Sequence, residues 1–329
     1  MEKPQVPQPL PPPPGVINAI KGGMDVISSH LSLMFLPVVL DALLWFGPRL
    51  SVEDLFSNSF GQMMALAGKS LPSEEINAVQ QLMADWLPNY NLLSVLRTFP
   101  IGVSSLMSAK LPVENPLGTQ SLVNIPSEGS LLGWLFLLTF IGWSLGGLYF
   151  NWVSGATGVC NKPSGPVRAV LQTLLFSMII TILLFLIGIP AMFMLGILGL
   201  INAGILQVAM FVLALFSAWI VVPIFFAPHG MYLRGQNAFY SIYASLRMAR
   251  FTLPTSSMFV LAVFVISQGL NFLWSVPADN SWMTVVGIAG HAFVTTALLA
   301  ASFIYYRDMN AWLEIVFERL KPDTAARQT

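Results

Sequence analysis

"AVLQTLLFSMIITILLFLIGIPAMFMLGILGLINAGILQVAMFVLALFSAWIVVPIFFAP", residues 169–228, contains no charged side chain. A bilayer core of about 30 Å needs about 20 apolar residues in an α-helix. The stretch is therefore too long for one crossing and sufficient for two. Within it, residues 188–204 supply Pro190 and Gly188, Gly196, Gly199 and Gly204 as breakers. The segment is predicted to be a hairpin, or one that dips back into the membrane.

The same ruler applied outward predicts an all-α, polytopic membrane bundle of about six transmembrane helices. The spans lie near residues 26–47, 131–152, 167–188, 205–227, 256–275 and 284–306. The loops flanking spans three and four are both basic: Lys162 and Arg168 in the first, Arg234, Arg247 and Arg250 in the second. Both belong in the cytoplasm by the positive-inside bias, which requires an even number of spans between them. Arg307, Arg319, Lys321 and Arg327 follow the last span, so both termini are predicted to be cytoplasmic.

Composition agrees. Hydrophobic residues make up 55% of the chain and charged residues 9%, against roughly 25% charged in soluble domains. Fifteen Lys+Arg balance 15 Asp+Glu, so no overall field attracts nucleic acid, and none is expected as a partner. The single cysteine, Cys160, cannot form an intramolecular disulfide, and no Cys/His spacing for zinc or haem occurs. No metal and no cofactor are expected.

The opening "MEKPQVPQPLPPPPGV" places prolines where a signal peptide needs its apolar core, which predicts a retained cytoplasmic tail over residues 1–23. The remaining organisation follows from the spans. The first transmembrane helix covers 24–48 and an extracytoplasmic, partly helical insertion covers 49–130. A five-span core covers 131–309, and a tail covers 310–329. In the insertion, Ser51 and Ser73 stand as N-cap candidates before acids. Its segment "NLLSVLRTFPIGVSSLM" is too apolar for a free loop, so it lies on the membrane surface or packs on its own protein.

Asp41 interrupts an apolar span about seven residues before Pro48, which at 1.5 Å per residue puts it roughly 10 Å below the outer boundary. His291 and Gln268 fall at a similar depth, so Asp41, Gln268 and His291 form the candidate intramembrane polar cluster. A carboxylate there costs roughly 2.5 to 3.5 kcal/mol at the bilayer centre and less toward the interface, which demands a partner, with His291 as the candidate. The functional reading is a protonatable pair in a small-solute or ion carrier; the structural reading is hydrogen-bonded glue between helices. Contact with another subunit's basic residue is a third.

Gly142 and Gly146 form a Gly-x-x-x-Gly pair that lets a second helix approach, within the chain or in a homo-oligomer. Residues 231–251 combine Arg234, Arg247 and Arg250 with Phe239, Ile242, Tyr243 and Leu246 at helical spacing. They are expected to form an amphipathic helix on the cytoplasmic face whose arginines contact anionic lipid headgroups. No catalytic constellation stands out: His30, His229 and His291 lack metal-ligand spacing, and no G-x-S-x-G, H-E-x-x-H or phosphate loop occurs.

From about residue 131 on, three features carry a family resemblance: the order of spans, Ala238 followed by Ser241 and Ser245, and Tyr305 and Tyr306 before Arg307 and Asp308. Together they resemble the bacterial six-helix membrane domains found beside some glycerophosphodiester phosphodiesterases, and their uncharacterised stand-alone relatives. The resemblance covers about half the chain, and the long insertion is not part of it. No phosphodiesterase catalytic domain is present, so that activity is not carried over. What the resemblance implies is a bacterial cytoplasmic-membrane protein. The expected function is a non-enzymatic scaffold, an accessory subunit with a membrane-protein partner, or a lipid-organising protein; the alternative is the Asp41/His291 carrier.

Overall fold

The computed structural model describes residues 11–57, 73–158 and 165–320. Residues 1–10, Cys160, Lys162, Lys321 and Arg327 lie outside the described residues. The chain is an all-α membrane bundle with an insertion of short elements after its first helices. Five helices among the described residues are long and apolar enough to cross a membrane, and a bent pair brings the number to six if it counts as one crossing.

That bent pair replaces the expected straight first span. Helix α1 (Val16–Ser29) and helix α2 (Phe35–Phe46) are joined by a short 3-10 turn and meet at 96°. The break falls at His30, whose backbone leaves the helical region. Residues 16–23 are therefore helix and not part of an extended tail. The reason lies in Ala19, Gly23 and Ile27, a buried stripe at i, i+4, i+8, with Lys21 and Asp25 exposed on the other side.

Helix α3 (Ser73–Trp86) and one-turn α4 (Met107–Lys110) belong to the insertion. Helix α5 (Glu128–Ala156) opens with a capping box, in which Ser127 accepts from the Ser130 N–H and Ser130 from the Ser127 N–H, both at 3.2 Å. Of the expected caps, Ser51 accepts from the Glu53 N–H at 3.2 Å, while Ser73 is the first residue of α3 itself.

Helices α6 (Pro166–Ile201) and α7 (Ala203–Leu233) form the hairpin, but its turn is confined to Asn202. The helix continues unbroken through Gly188, Pro190, Gly196 and Gly199. Proline removes one donor, whereas unwinding in hydrocarbon would strand many polar groups at several kcal/mol each. Asn202 accepts from the N–H groups of Gly204 and Ile205 at 2.7 and 3.3 Å, capping α7.

Helix α8 (Ala238–Trp274) corrects the expected surface helix. Residues 231–233 end α7, Gly235 turns with φ +61°, and residues 238–251 are continuous with the fifth span. Small residues at helical spacing, Ala238, Ser241, Ser245 and Ala249, form its buried face, while Phe239, Tyr243 and Leu246 are exposed. Ser241 donates to the Ala227 carbonyl, and Ser245 to that of Pro223 at 2.5 Å. Small residues inside and bulky apolar residues outside is the packing rule of helices in lipid.

The last helix, α9 (Thr284–Leu320), is the axis of the bundle: 61% of its most apolar stretch is buried, against 6% for α6 and 12% for α7. Helix α1 lies directly on α9, where a Cβ at Gly23 would sit 2.2 Å from the Ala297 carbonyl oxygen. Phe259 of α8 stacks on Tyr305 with ring centroids 4.2 Å apart.

In the insertion, strand β1 (Arg49–Ser51) pairs in parallel with β4 (Leu122–Asn124), Arg49 opposite Leu122. Strands β2 (Glu114–Asn115) and β3 (Gly118–Thr119) form a hairpin. Polar clamps hold the insertion to the bundle: Lys110 pairs with Asp279 at 2.5 Å, and Gln120 donates to the Leu44 carbonyl at 2.9 Å. Trp45 donates to the Asp279 carbonyl at 2.8 Å and ties α2 to the α8–α9 turn.

Candidate functional site

The segment that follows Leu96 enters the bundle and does not lie on the membrane surface. Ile101, Val103, Ser105, Leu106 and Met107 are all buried, and the Phe99–Pro100 bond is cis. Irregular backbone at membrane depth survives only when protein supplies its hydrogen bonds. Here several side chains do so: Trp143 donates to the Phe99 carbonyl at 2.9 Å, Thr98 to that of Ile101 at 2.8 Å, and Asp41 accepts from the loop.

Gly142 and Gly146 make room for this loop and not for a helix. A Cβ at Gly142 would lie 2.7 Å from the Leu96 carbonyl oxygen; one at Gly146 would lie 2.8 Å from Gly102 Cα. The neighbouring Gly147 is the residue that admits a helix, with Thr173 of α6 at 2.4 Å from the same construction. The glycine motif thus serves contacts within the chain.

Asp41 is fully buried. Its Oδ1 accepts from Ser105 Oγ at 2.6 Å and from the Met107 N–H at 2.9 Å. Its Oδ2 faces His291 Nδ1 at 3.9 Å, and neither of these two atoms has a hydrogen-bond partner among the described residues. The two residues that share a sequence-derived depth therefore do come together. Gln268 does not join them: it is exposed on α8 and takes no part in the cluster. Ser105 and Met107 take the place the sequence offered to Gln268.

Below the loop tip, Ser104 Oγ and Thr295 Oγ1 are 2.8 Å apart, and Tyr149 and Thr296 form a second hydroxyl pair at 2.8 Å. Thr295 is 11 residues into α9, roughly 16 Å along its axis. From this point a cavity of about 470 Å³ runs between the loop, α8, α9 and the α6–α7 hairpin. Its wall is apolar, with Phe99, Phe225, Val263 and Leu298, and its polar groups are Ser104, Ser267, Thr295, His229 and Ser302. Exposed Phe99, Ile220 and Val221 place its mouth on the flank of the bundle. A second cavity of about 430 Å³ adjoins it, walled by α6, α7 and Ile242 and Leu246 of α8, and entirely apolar in its side chains apart from the Trp219 ring nitrogen. Leu184, Ile220 and Ile224 line both cavities.

At the far end of the larger cavity, buried His229 meets Ser302 at 2.7 Å between Nε2 and Oγ. Phe225, Phe303 and Tyr306 surround the imidazole. Ser302 also donates to the Leu299 carbonyl at 2.7 Å, the back-bond common for serine in membrane helices. His229 carries no sequence signal beyond its place near the end of a span, and only the packing reveals that it is lodged in the core.

The three arginines divide. Arg234 and Arg247 line a third cavity, of about 130 Å³, with Tyr240, Tyr243, Asn310 and Glu314. Arg234 pairs with Glu314 at 3.2 Å, while the Arg247 guanidinium lies 5.4 Å from the Phe317 ring centroid. Arg250 is not in this wall; its guanidinium sits 6.0 Å from the ring centroid of Phe251. Compared with family models, curated proteins and solved structures, the chain matches none of them.

Proposed function

We propose that this is a non-enzymatic membrane protein that organises lipid, holding the apolar part of an amphiphile in the cleft between the α6–α7 hairpin and the rest of the bundle. The observation that carries this reading is the pair of adjoining cavities, 470 and 430 Å³, with apolar walls, exposed rims and a common partition at Leu184, Ile220 and Ile224. Sites of roughly 300–1,000 Å³ with a few placed polar groups are the general form of a small-molecule pocket. A hairpin whose helices are barely buried gives such a pocket a lateral opening to the bilayer.

The positive-inside bias assigns the arginine-bearing end to the cytoplasm and the insertion to the outside. The resemblance of the second half to six-helix membrane domains of bacteria fits this setting, the cytoplasmic membrane. A partner protein or a second copy would make the same fold an accessory subunit.

The test is native mass spectrometry after extraction in mild detergent. Wild-type protein is expected to retain phospholipid, and Leu184→Trp with Ile224→Trp, which fills the partition, to retain much less. Equal retention by the filled variant contradicts the reading, and a stable companion protein in place of lipid turns it toward the accessory subunit.

One observation favours a second reading, the carrier. Asp41 Oδ2 and His291 Nδ1 face each other at 3.9 Å, and neither has a hydrogen bond among the described residues, an arrangement that can hold a proton or a small polar guest. Liposome flux abolished by Asp41→Asn with the fold intact would establish it. Flux equal to that of empty liposomes removes it.

A further inference from the structure

The cavity at the arginine-bearing end is small and polar and has a net charge that a single anion neutralises. Arg234 and Arg247 contribute two positive charges and Glu314 one negative charge. Among the described residues no carboxylate pairs with Arg247, which rests only on the Phe317 ring. Of the other acids on α9, Asp308 is paired with Arg307 at 2.6 Å, and Glu318 is exposed and does not line the cavity. Tyr240 and Tyr243 flank the cavity with ring centroids 6.4 Å apart and are both exposed. Asn310 completes the rim, its amide donating to the Tyr306 carbonyl at 2.7 Å.

We propose that this cavity binds one singly charged phosphate diester, with Arg247 as its principal contact and Arg234 shared between the ligand and Glu314. The chemistry follows from the donor set. Guanidinium groups offer planar forks that match phosphate oxygens, and phenolic hydroxyls add donors at the rim. At about 130 Å³ the cavity admits a headgroup phosphate and not an acyl chain. Exposed apolar side chains beside it, Phe239, Leu246 and Phe251, place it in the layer where a bilayer presents its phosphates. The inference deepens the lipid-organising reading by naming the headgroup chemistry, but it stands on different residues from those of the cleft.

The experiment uses the full chain in nanodiscs of phosphatidylcholine doped with phosphatidylglycerol, with bound lipid counted by native mass spectrometry. Soluble glycerophosphoglycerol is added in a parallel arm. Wild-type protein is expected to enrich phosphatidylglycerol. Arg247→Gln should lower that enrichment about fivefold, the effect of one arginine at a charged leaflet. Glu314→Gln, at an exposed position, should raise it by releasing Arg234. Competition by soluble glycerophosphoglycerol would identify a free diester as a ligand of the same site, and its failure to compete would identify the lipid-borne one. Enrichment unchanged in both variants overturns the proposal, and so does a loss in Glu314→Gln equal to that in Arg247→Gln. Because Leu184 and Ile224 do not touch this cavity, filling the cleft leaves this measurement intact, so the two readings fail separately.

Discussion

Asp41 uses its two oxygens differently, and the difference predicts how substitutions there behave. Oδ1 ties down the inserted loop through Ser105 and Met107, while Oδ2 only faces His291. Asp41→Asn keeps an acceptor for the loop, whereas Asp41→Leu strands the buried Met107 N–H. A buried donor left without its acceptor costs roughly 1–3 kcal/mol, so Asp41→Leu should be less stable than Asp41→Asn by about 2 kcal/mol. Equilibrium unfolding in mixed micelles reads this directly; equal losses would mean that the loop does not depend on Asp41. The meeting of Asp41 with His291 was legible in the sequence because the helical rise converts residue number into depth. Depth says nothing about direction around the helix axis, and for that reason Gln268, at the right depth, faces away. Ser105 and Met107 were not legible, since an irregular loop has no period from which to read a position.

At the scale of single elements, the glycines separate into those that permit a close contact and those with open space beside them. A Cβ at Gly146 or Gly23 would collide with backbone atoms at 2.8 and 2.2 Å, whereas one at Gly188 or Gly196 meets nothing within 4 Å. Gly146→Ala and Gly23→Ala are thus expected to cost roughly 1–3 kcal/mol by overpacking. Gly188→Ala and Gly196→Ala should be neutral or stabilising by roughly 0.5–1 kcal/mol, since alanine is the better helix former. Thermal unfolding of the four variants tests the division, and a destabilised Gly188→Ala would show that this stretch of α6 is closely packed. The same glycines misled the sequence reading. Gly188, Pro190, Gly196 and Gly199 look like breakers by composition, yet hydrocarbon offers the backbone no alternative partners and the helix persists. The break that does occur, at His30, has neither glycine nor proline beside it to announce it.

For the whole molecule, the arrangement is a buried axis, α9, with α1, α5 and α8 against it and a hairpin leaning away on one side. The number of long apolar helices and the pairing of α6 with α7 were readable, because apolar length sets them. The cleft was not readable, because it arises from the divergence of helices whose sequences are equally apolar on every face. The proposed sidedness has its own check. With Cys160→Ser as background, a membrane-impermeant thiol reagent on intact cells should label Asp85→Cys and spare Glu318→Cys; the reverse pattern would invert the molecule.

The cleft itself is tested most directly by a phospholipid carrying a photoactivatable group midway along one acyl chain, irradiated in nanodiscs and mapped by peptide mass spectrometry. The account predicts attachment concentrated in peptides containing Leu184, residues 220–229 and residues 295–302, with loss of that signal when Leu184 and Ile224 are both replaced by tryptophan. Labelling spread evenly over the exposed faces of α5 to α8, and indifferent to those two substitutions, would contradict it.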